Sequence, residues 1–286
     1  AYPPLLREIS DPPAYLYVAG RLAPEDRCIA VVGSRHPTDY GVQTTHRLSR
    51  DLSLQGFTVV SGLARGIDTA AHRGALDGGG RTVAVLGSGL NWIYPPENRR
   101  LAERIAASGA VISEFPPDAG PDGHHFPIRN RIISGMCLGT MIAEATLRSG
   151  SLITARLAAD QGREVFAVPG SIQSHKSTGT HTLIKQGAKL VEHAGDVIEE
   201  LSPMLAAGPG GQDAPSTPPA PDLTAEEAKV CAGLTPYPIH IDELGRRLSM
   251  DSSRLAAQLL GLELKGLVRQ LPGKFFVLEE DISEPT

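Results

Sequence analysis

The feature of this sequence that most restricts its fold is the repeated alternation of short apolar segments with longer amphipathic ones. The short segments are rich in β-branched residues and predict strands, whereas the segments between them, such as 40–55 and 68–76, predict helices. Strand followed by helix, repeated along a chain, is typical of a parallel sheet with helices on both faces. We therefore predict an α/β fold built on an extended Rossmann-like parallel sheet. Its strands are expected at 28–33, 57–61, 82–87, 110–114, 138–144, 164–168 and 189–191.

A segment rich in proline and glycine divides the chain at residues 203–222. Proline and glycine at such a density cannot hold a regular element, so we predict an extended linker there. This division puts the Rossmann-like domain at residues 1–202 and a smaller second domain at residues 223–286.

The second domain carries the signals of three helices and a hairpin. Thr224 and Glu227 have the spacing of a capping box at the start of a helix. Asp242 and Asp251 are expected to cap two more helices, and Gly266 is expected to end the third. Two apolar segments around a Pro-Gly turn follow. Three helices and a hairpin predict a winged-helix domain.

The charge balance limits where a polyanion can bind. The whole chain has a formal net charge of -5, residues 1–202 hold 20 basic and 20 acidic side chains, and residues 223–286 hold 7 and 10. A protein that coats nucleic acid over its whole surface is normally basic. A nucleic-acid site must therefore be a local patch, and the acidic second domain is the poorer place for it.

The cysteines and the apolar segments predict the compartment. Cys28, Cys137 and Cys231 are widely spaced, odd in number and set among apolar residues, which predicts reduced core thiols rather than disulfides or a zinc site. No apolar segment approaches the roughly 20 residues that cross a membrane, and the first residues do not resemble a signal peptide. We expect a soluble cytoplasmic protein that does not bind a membrane.

Four strand-to-helix turns carry residue types that suit an anion. Glycine lets backbone N-H groups approach a phosphate at a helix N-terminus, arginine adds a bidentate contact, and serine or threonine adds a hydroxyl. Because parallel strands end at one edge of a sheet, we expect the turns to lie together there. The candidate anion-binding residues are Gly33, Ser34 and Arg35; Gly62, Arg65 and Gly66; Arg129, Asn130 and Arg131; and Ser149, Gly150, Ser151 and Thr154.

Each turn also has a plainer interpretation. Tight glycine turns are common, Arg129 and Arg131 are also suited to salt bridges, and His72 is more often a packed histidine than a ligand. Asp68 can simply cap the following helix. Arg35 and Arg65 are expected to line one basic pocket with Arg129 or Arg131 at its rim. Arg65 has the alternative of pairing with Asp68 or Glu144 and ordering its loop.

Several chemistries have no motif in the sequence. No phosphate-binding loop for a nucleoside triphosphate is present, and the turn after residue 33 is not the dinucleotide-binding glycine fingerprint. Ser61 and Ser149 lack the context of a nucleophile elbow. The pair His124 and His125 has no nearby third ligand for a metal. We predict neither a cofactor nor a metal.

Taken in order, the motifs of residues 1 to about 200 resemble the DNA processing protein A (DprA, or Smf) family. The resemblance implies a non-enzymatic protein that binds single-stranded DNA, forms a homodimer and loads the RecA recombinase onto DNA taken up in natural transformation. His181 stands where the family pattern leads us to expect asparagine. The motifs are 33–35, 61–68 with 71–72, 84–90, 94–95, 113–114, 126–133, 149–155, 163–170 and 179–184 with 187–188, and residues 2–9 also fit.

The resemblance also points to a dimer built on the late Rossmann-like segment. Apolar residues there offer a surface, although covering the sheet is the plainer role of each. They are Leu183, Leu190, Val191, Val197 and Ile198.

An enzyme is the alternative interpretation. A Rossmann-like sheet with glycine-rich turns and the acids Asp68, Glu114 and Glu144 also resembles nucleotide hydrolases of the cytokinin-activating phosphoribohydrolase kind. The sequence lacks the Pro-Gly-Gly-x-Gly-Thr loop of those enzymes. Fold alone does not decide between the two functions.

Overall fold

The structure, a computed structural model, describes residues 2–206, 224–234, 239–248, 250–265, 267–271 and 273–278. The chain forms two compact units, residues 1–215 and residues 216–286.

The first unit contains an eight-stranded sheet in the order β1-β5-β4-β3-β2-β6-β7-β8. All neighbours are parallel except β1, which runs antiparallel to β5. The α/β Rossmann-like prediction is therefore confirmed, and the expected strands differ from the observed ones only at their ends. The strands are β1 (Tyr17–Gly20), β2 (Arg27–Val32), β3 (Phe57–Ser61), β4 (Thr82–Val85), β5 (Ala110–Ser113), β6 (Gly139–Ile142), β7 (Glu164–Ala167) and β8 (Lys189–Leu190).

Helices cover both faces of this sheet. Alternate residues of β2 enter different apolar clusters: Ala30 packs toward Ile132 and Leu152 on one face, and Ile29 toward Leu48 on the other. Burial on both faces explains why the strands read as continuous apolar segments. The helices are α1 (Asp39–Leu54), α2 (Ile67–Asp77), α3 (Arg99–Ser108), α4 (His125–Gly135), α5 (Ser151–Asp160), α6 (Thr178–Lys185) and α7 (Ala194–Ala206).

The start of the predicted linker is wrong by four residues. Helix α7 continues to Ala206 with Pro203 inside it. Leu201 is fully buried and Leu205 packs on the same apolar cluster, so burial of this face offsets the hydrogen bond that proline removes. The rest of the predicted linker, 207–222, lies outside the described residues.

The second unit has the three helices and the hairpin expected of a winged helix. A third strand, which the sequence analysis missed, completes a sheet in the order β10-β11-β9. The elements are α8 (Ala225–Gly233), β9 (Ile239–His240), α9 (Ile241–Leu248), α10 (Ser252–Leu264), β10 (Val268–Leu271) and β11 (Phe275–Leu278).

The helix caps of this unit follow the sequence with one exception. Thr224 and Glu227 form the predicted capping box, and Asp251 accepts hydrogen bonds from the first turn of α10. The prediction for Asp242 is wrong, because α9 begins one residue earlier and Asp242 lies inside its first turn. Gly266 lies outside the described residues.

The cysteines have the predicted character. Cys28 and Cys137 are free and buried, and burial raises the pKa of both thiols. Cys231 is a free, partly buried thiol in the second unit, and its pKa is raised for the same reason. Within the described part of the chain, no helix combines the length and the apolar character needed to cross a membrane.

Candidate nucleic-acid interface

Three of the four predicted turns join into one surface at the carboxyl edge of the sheet. The chain leaves β2 toward β3 on one side and returns to β6 on the other, which makes the end of β2 a topological switch point. There, the Ser34 backbone N-H donates to the Glu144 carbonyl at 2.8 Å, and the Ile67 N-H donates to the Ser34 carbonyl at 3.1 Å. The turns after β2, β3 and β6 are thus hydrogen-bonded to one another.

Gly66 is the residue that permits this close approach. Its φ of +76° lies in the left-handed region, and a Cβ there would come within 2.5 Å of the Ser34 carbonyl oxygen and 2.9 Å of the Arg35 carbonyl carbon. A side chain at this position would push the two turns apart. Arg35 and Arg65 therefore lie on two turns that are in contact with each other. The predicted basic pocket, which both arginines line, requires this proximity.

The carboxylate of Glu144 fastens α1 to the turn after β6. It accepts the Thr38 hydroxyl at 2.5 Å and the Thr38 backbone N-H at 3.1 Å, and it is only 4% exposed. Thr38 in turn accepts the Gly41 N-H at 3.1 Å and so caps α1. Glu144 therefore positions the first turn rather than facing a ligand.

Arg35 is exposed and lies over an aromatic ring. Its guanidinium carbon is 5.3 Å from the centroid of Phe126, which in turn lies 5.9 Å from the ring of Tyr94. No ion pair of Arg35 occurs within the described ranges. No role was predicted for Phe126 from the sequence, although an aromatic residue beside a turn with two arginines was the available signal. Arg35, Phe126 and Tyr94 form what we call the aromatic platform.

Arg65 is also exposed, and its partner is neither of the acids that we weighed. Its Nε donates to the carboxylate of Glu97, which precedes α3, and both side chains are about half exposed. The hydrogen bond from Arg65 holds the pKa of Glu97 below its usual range, so both groups are charged at neutral pH. An exposed pair of this kind contributes little to stability, and a phosphate can compete for the guanidinium.

Arg129 is not at the rim of the pocket, where we expected it as an alternative to Arg131. It is 3% exposed and donates from Nη1 to the Val85 carbonyl. A Cβ on Gly62 would lie 2.5 Å from Arg129 Nη1 and 2.7 Å from Asp68 Oδ2, so the two charged groups flank this glycine. Burial lowers the pKa of Arg129 to about 10, and the residue keeps its charge at neutral pH.

Asp68 does not cap α2, contrary to the prediction. The N-cap is Gly66, and Asp68 turns back so that Oδ2 accepts the N-H groups of Gly62 and Ala64 at 3.2 and 3.3 Å. Burial raises the pKa of Asp68, while the Arg129 charge opposes that shift. Asp68 and Arg129 together shape the loop that presents Arg65.

Arg131 forms a salt bridge, which was the plainer of the two roles considered for it. Its guanidinium binds both carboxylate oxygens of Glu114 at 2.7 and 2.8 Å and also contacts Asp11 at 3.1 Å. The side chain is only 14% exposed. Arg131 therefore ties α4 to β5 and to the N-terminal segment, and the neighbouring Asn130 is half-buried.

The turn after β6 is only partly open to solvent. Ser151 and Thr154 are buried, at 7% and 1% exposure, and Ser151 shares a hydrogen bond of 2.9 Å with Ser149. Gly150 is exposed and no atom lies within 4 Å of a Cβ placed on it. Of the four residues predicted for this turn, Ser149 and Gly150 are the ones that can meet a ligand.

Two histidines have settled roles. His72 is fully buried, its Nδ1 lies 2.7 Å from the Thr82 hydroxyl, and burial lowers its pKa to about 3, so it is the neutral packed residue that we predicted. His181, the departure from the family pattern, places Nε2 at 3.0 Å from the Gly170 carbonyl.

Comparison with known proteins gives consistent matches for both units. The family described as DNA recombination-mediator protein A matches residues 1–202, and the DprA winged helix domain matches residues 214–274. Over 280 residues the chain is 42% identical to Protein Smf of Escherichia coli (strain K12), covering 96% of this chain and 74% of that protein.

Two solved structures are similar to the first unit. The X-ray structure of DprA from Streptococcus pneumoniae has a TM-score of 0.67 and 46% identity, and the match covers 70% of each chain. A structure of DNA processing protein A from Helicobacter pylori, described as giving insights into its single-stranded DNA binding mode, has a TM-score of 0.63 and 31% identity. That match covers 71% of this chain and 94% of the other.

Proposed function

The chain belongs to the DprA/Smf family of DNA-processing recombination mediators, and from that premise we propose that it binds single-stranded DNA at the carboxyl edge of its large sheet. The observation that carries this proposal is that Arg35 and Arg65 project, exposed, from two turns that are hydrogen-bonded to each other. Phosphates bind the two guanidinium groups, and bases stack on the aromatic platform. The Helicobacter pylori relative, described by its single-stranded DNA binding mode, supports this assignment.

A binding role fits this site better than nucleotide hydrolysis. General acid–base hydrolysis needs a side chain that is free to exchange a proton with water or substrate, and three carboxylates were the candidates for that role. Asp68 binds loop N-H groups, Glu114 binds Arg131, and Glu144 binds Thr38. We therefore propose a cytoplasmic, non-enzymatic protein that loads RecA onto incoming single-stranded DNA in natural transformation.

The test compares single-stranded and duplex oligonucleotides by gel shift over a range of salt concentrations. We expect preference for the single strand, and a log-log salt dependence with a slope of about -0.7 for each neutralised phosphate. The same preparation should speed the assembly of RecA on single-stranded DNA. Equal affinity for duplex, or a flat salt response, would contradict the preference for single strands, whereas nucleotide hydrolysis without retention of DNA would reverse the assignment in favour of an enzyme.

We also propose a homodimer, and the burial of the five apolar residues restricts its interface. Leu183, Val191 and Val197 are buried within the unit, whereas Leu190, on the edge strand β8, is 40% exposed. Ile198 is partly buried against the core. Among these five, Leu190 is the residue best placed to meet a second copy.

Replacing Leu190 by aspartate is therefore expected to convert a dimer into a monomer, because the charge would be buried at the interface. Light scattering at micromolar concentration measures the mass. The matched control is Val18→Asp on β1, the strand at the other edge of the sheet, where Val18 is 41% exposed. A wild-type protein that is already monomeric would remove the proposal.

A further inference from the structure

The seam between α2 and α3 carries a row of arginines that begins at the candidate DNA site. Positions spaced by four residues lie on one side of each helix. On the solvent side of α2 they are Thr69, Arg73 and Asp77, and on that of α3 they are Arg100 and Arg104. We call these five residues the α2–α3 seam. On α2 the neighbours of Arg73 on both sides are buried, whereas on α3 the buried face is formed by Leu101, Ala102 and Ile105, and Arg99 and Glu103 are also exposed.

Two contacts fix how the helices lie along this seam. Near their N-termini, the Asn98 side-chain amide donates to the Thr69 hydroxyl at 2.9 Å. Near the C-terminus of α2, Arg104 Nη2 lies 3.5 Å from Asp77 Oδ1. The helices therefore run side by side in the same direction, and Arg73 and Arg100 fall between these two contacts.

Arg73 and Arg100 are exposed and have no ion-pair partner within the described parts of the chain. Asp77 is shared by Arg104 and by His46, whose Nε2 lies 2.9 Å from it. Including Arg65 and its partner Glu97, the seam holds four arginines against two acids. Because residues 1–202 as a whole hold equal numbers of basic and acidic side chains, this is a local excess of positive charge.

We propose that the α2–α3 seam is a second segment of the nucleic-acid interface, along which a single strand continues after it leaves the pocket. The seam starts at Arg65, and successive positions on one helix face are about 6 Å apart because each residue rises about 1.5 Å. Arg73 and Arg100 each bind a backbone phosphate there. This inference rests on the proposed function, since a strand must first occupy the pocket.

Sequence-independent phosphate contact is the chemistry that these residues offer. The seam has no aromatic side chain, so bases have nothing to stack on, and arginines alone recognise the backbone. An acidic protein surface is also negatively charged and could pair with these arginines. The seam continues from Arg65, however, which favours the DNA single strand whose phosphates Arg65 is proposed to bind.

The experiment measures fluorescence anisotropy with two labelled oligothymidylates, one of about 5 nucleotides that fills only the pocket and one of about 20 nucleotides. The double variant Arg73→Gln with Arg100→Gln should bind the long oligonucleotide about tenfold more weakly. Its salt slope on the long oligonucleotide should fall by about 0.7 for each lost phosphate contact. Affinity for the short oligonucleotide should stay within about twofold of wild type.

The matched control is Arg21→Gln with Arg27→Gln, which removes the same charge at the opposite, amino edge of the sheet. No effect of the seam variant beyond that of this control, or an equal loss at both lengths, would overturn the proposal and leave the seam to an acidic protein partner. Arg35→Ala separates the two levels of inference. If Arg35→Ala binds both oligonucleotides as tightly as wild type, the proposed function fails. If Arg35→Ala loses affinity and the seam variant does not, only the proposal for the seam is refuted.

Discussion

Replacing Arg129 by alanine is expected to lower the free energy of unfolding of the first unit by about 3 to 5 kcal/mol. The side chain is 3% exposed, so the substitution opens space in a packed region and leaves the Val85 carbonyl without its donor. It also leaves the buried Asp68 carboxylate without the positive charge that opposes its desolvation. Urea unfolding followed by fluorescence measures the change in this unit, because Trp92 is the chain's one tryptophan.

The pH dependence of this loss follows from Asp68. Burial raises the pKa of Asp68 in the folded state, and removing Arg129 raises it further. The cost in unfolding free energy of burying an unpaired Asp68 carboxylate is fully present above the folded-state pKa of Asp68 in the variant, where the carboxylate is ionised. This cost shrinks as the pH falls and Asp68 takes up a proton. The difference in stability between Arg129→Ala and wild type should therefore narrow in acid.

A rescue variant separates charge from packing. Asp68→Asn combined with Arg129→Met removes both charges, keeps an oxygen to accept the N-H groups of Gly62 and Ala64, and fills most of the volume. It should recover much of the stability lost in Arg129→Ala. The control is Arg156→Ala on the exposed face of α5, expected to change stability by less than about 0.5 kcal/mol. A loss for Arg129→Ala no greater than the control's would contradict the positioning role.

Replacing Arg35 by alanine is expected to weaken single-stranded DNA binding by about ten- to hundredfold, the value of one charge-assisted phosphate contact. Arg35 is exposed and makes no ion pair within the described residues, so its guanidinium is available to a phosphate without breaking another contact. The fold loses the contact with Phe126, about 0.5 to 1 kcal/mol for an exposed pair, together with a favourable charge interaction with Asp68 and an unfavourable one with Arg129. Binding should therefore fall much more than the melting temperature, and the two are measured on the same variant.

The partner of Arg65 provides an internal comparison. Arg65→Ala should also weaken binding, but less than Arg35→Ala, because a phosphate must first displace Glu97. Glu97→Gln should strengthen binding, since it frees the guanidinium and removes a nearby negative charge. If Arg65→Ala lowered the melting temperature together with affinity, Arg65 would instead order its loop. Unchanged affinity in Arg35→Ala would refute the phosphate contact.

The sequence by itself determined the layers of the fold and the positions of the turns. Strands such as β3 could be located because residues buried on both faces of a sheet form continuous apolar segments. The edge strand β1 was missed because its exposed and half-buried residues alternate over only four positions, which leaves no such segment. The capping box at Thr224 was predictable because its contacts span three residues.

Only the tertiary structure decided which arginines of the candidate site face solvent. Arg35, Arg65, Arg129 and Arg131 all follow glycine- or proline-containing turns, and no local pattern distinguishes them. Arg129 is buried because α4 packs over the end of β4, and Arg131 forms its ion pair with Glu114, the residue that follows β5. Glu97 reaches Arg65 only because α3 lies beside α2. Local backbone chemistry fixes where a turn occurs, whereas the exposure and charge of its side chains depend on elements far away in the chain.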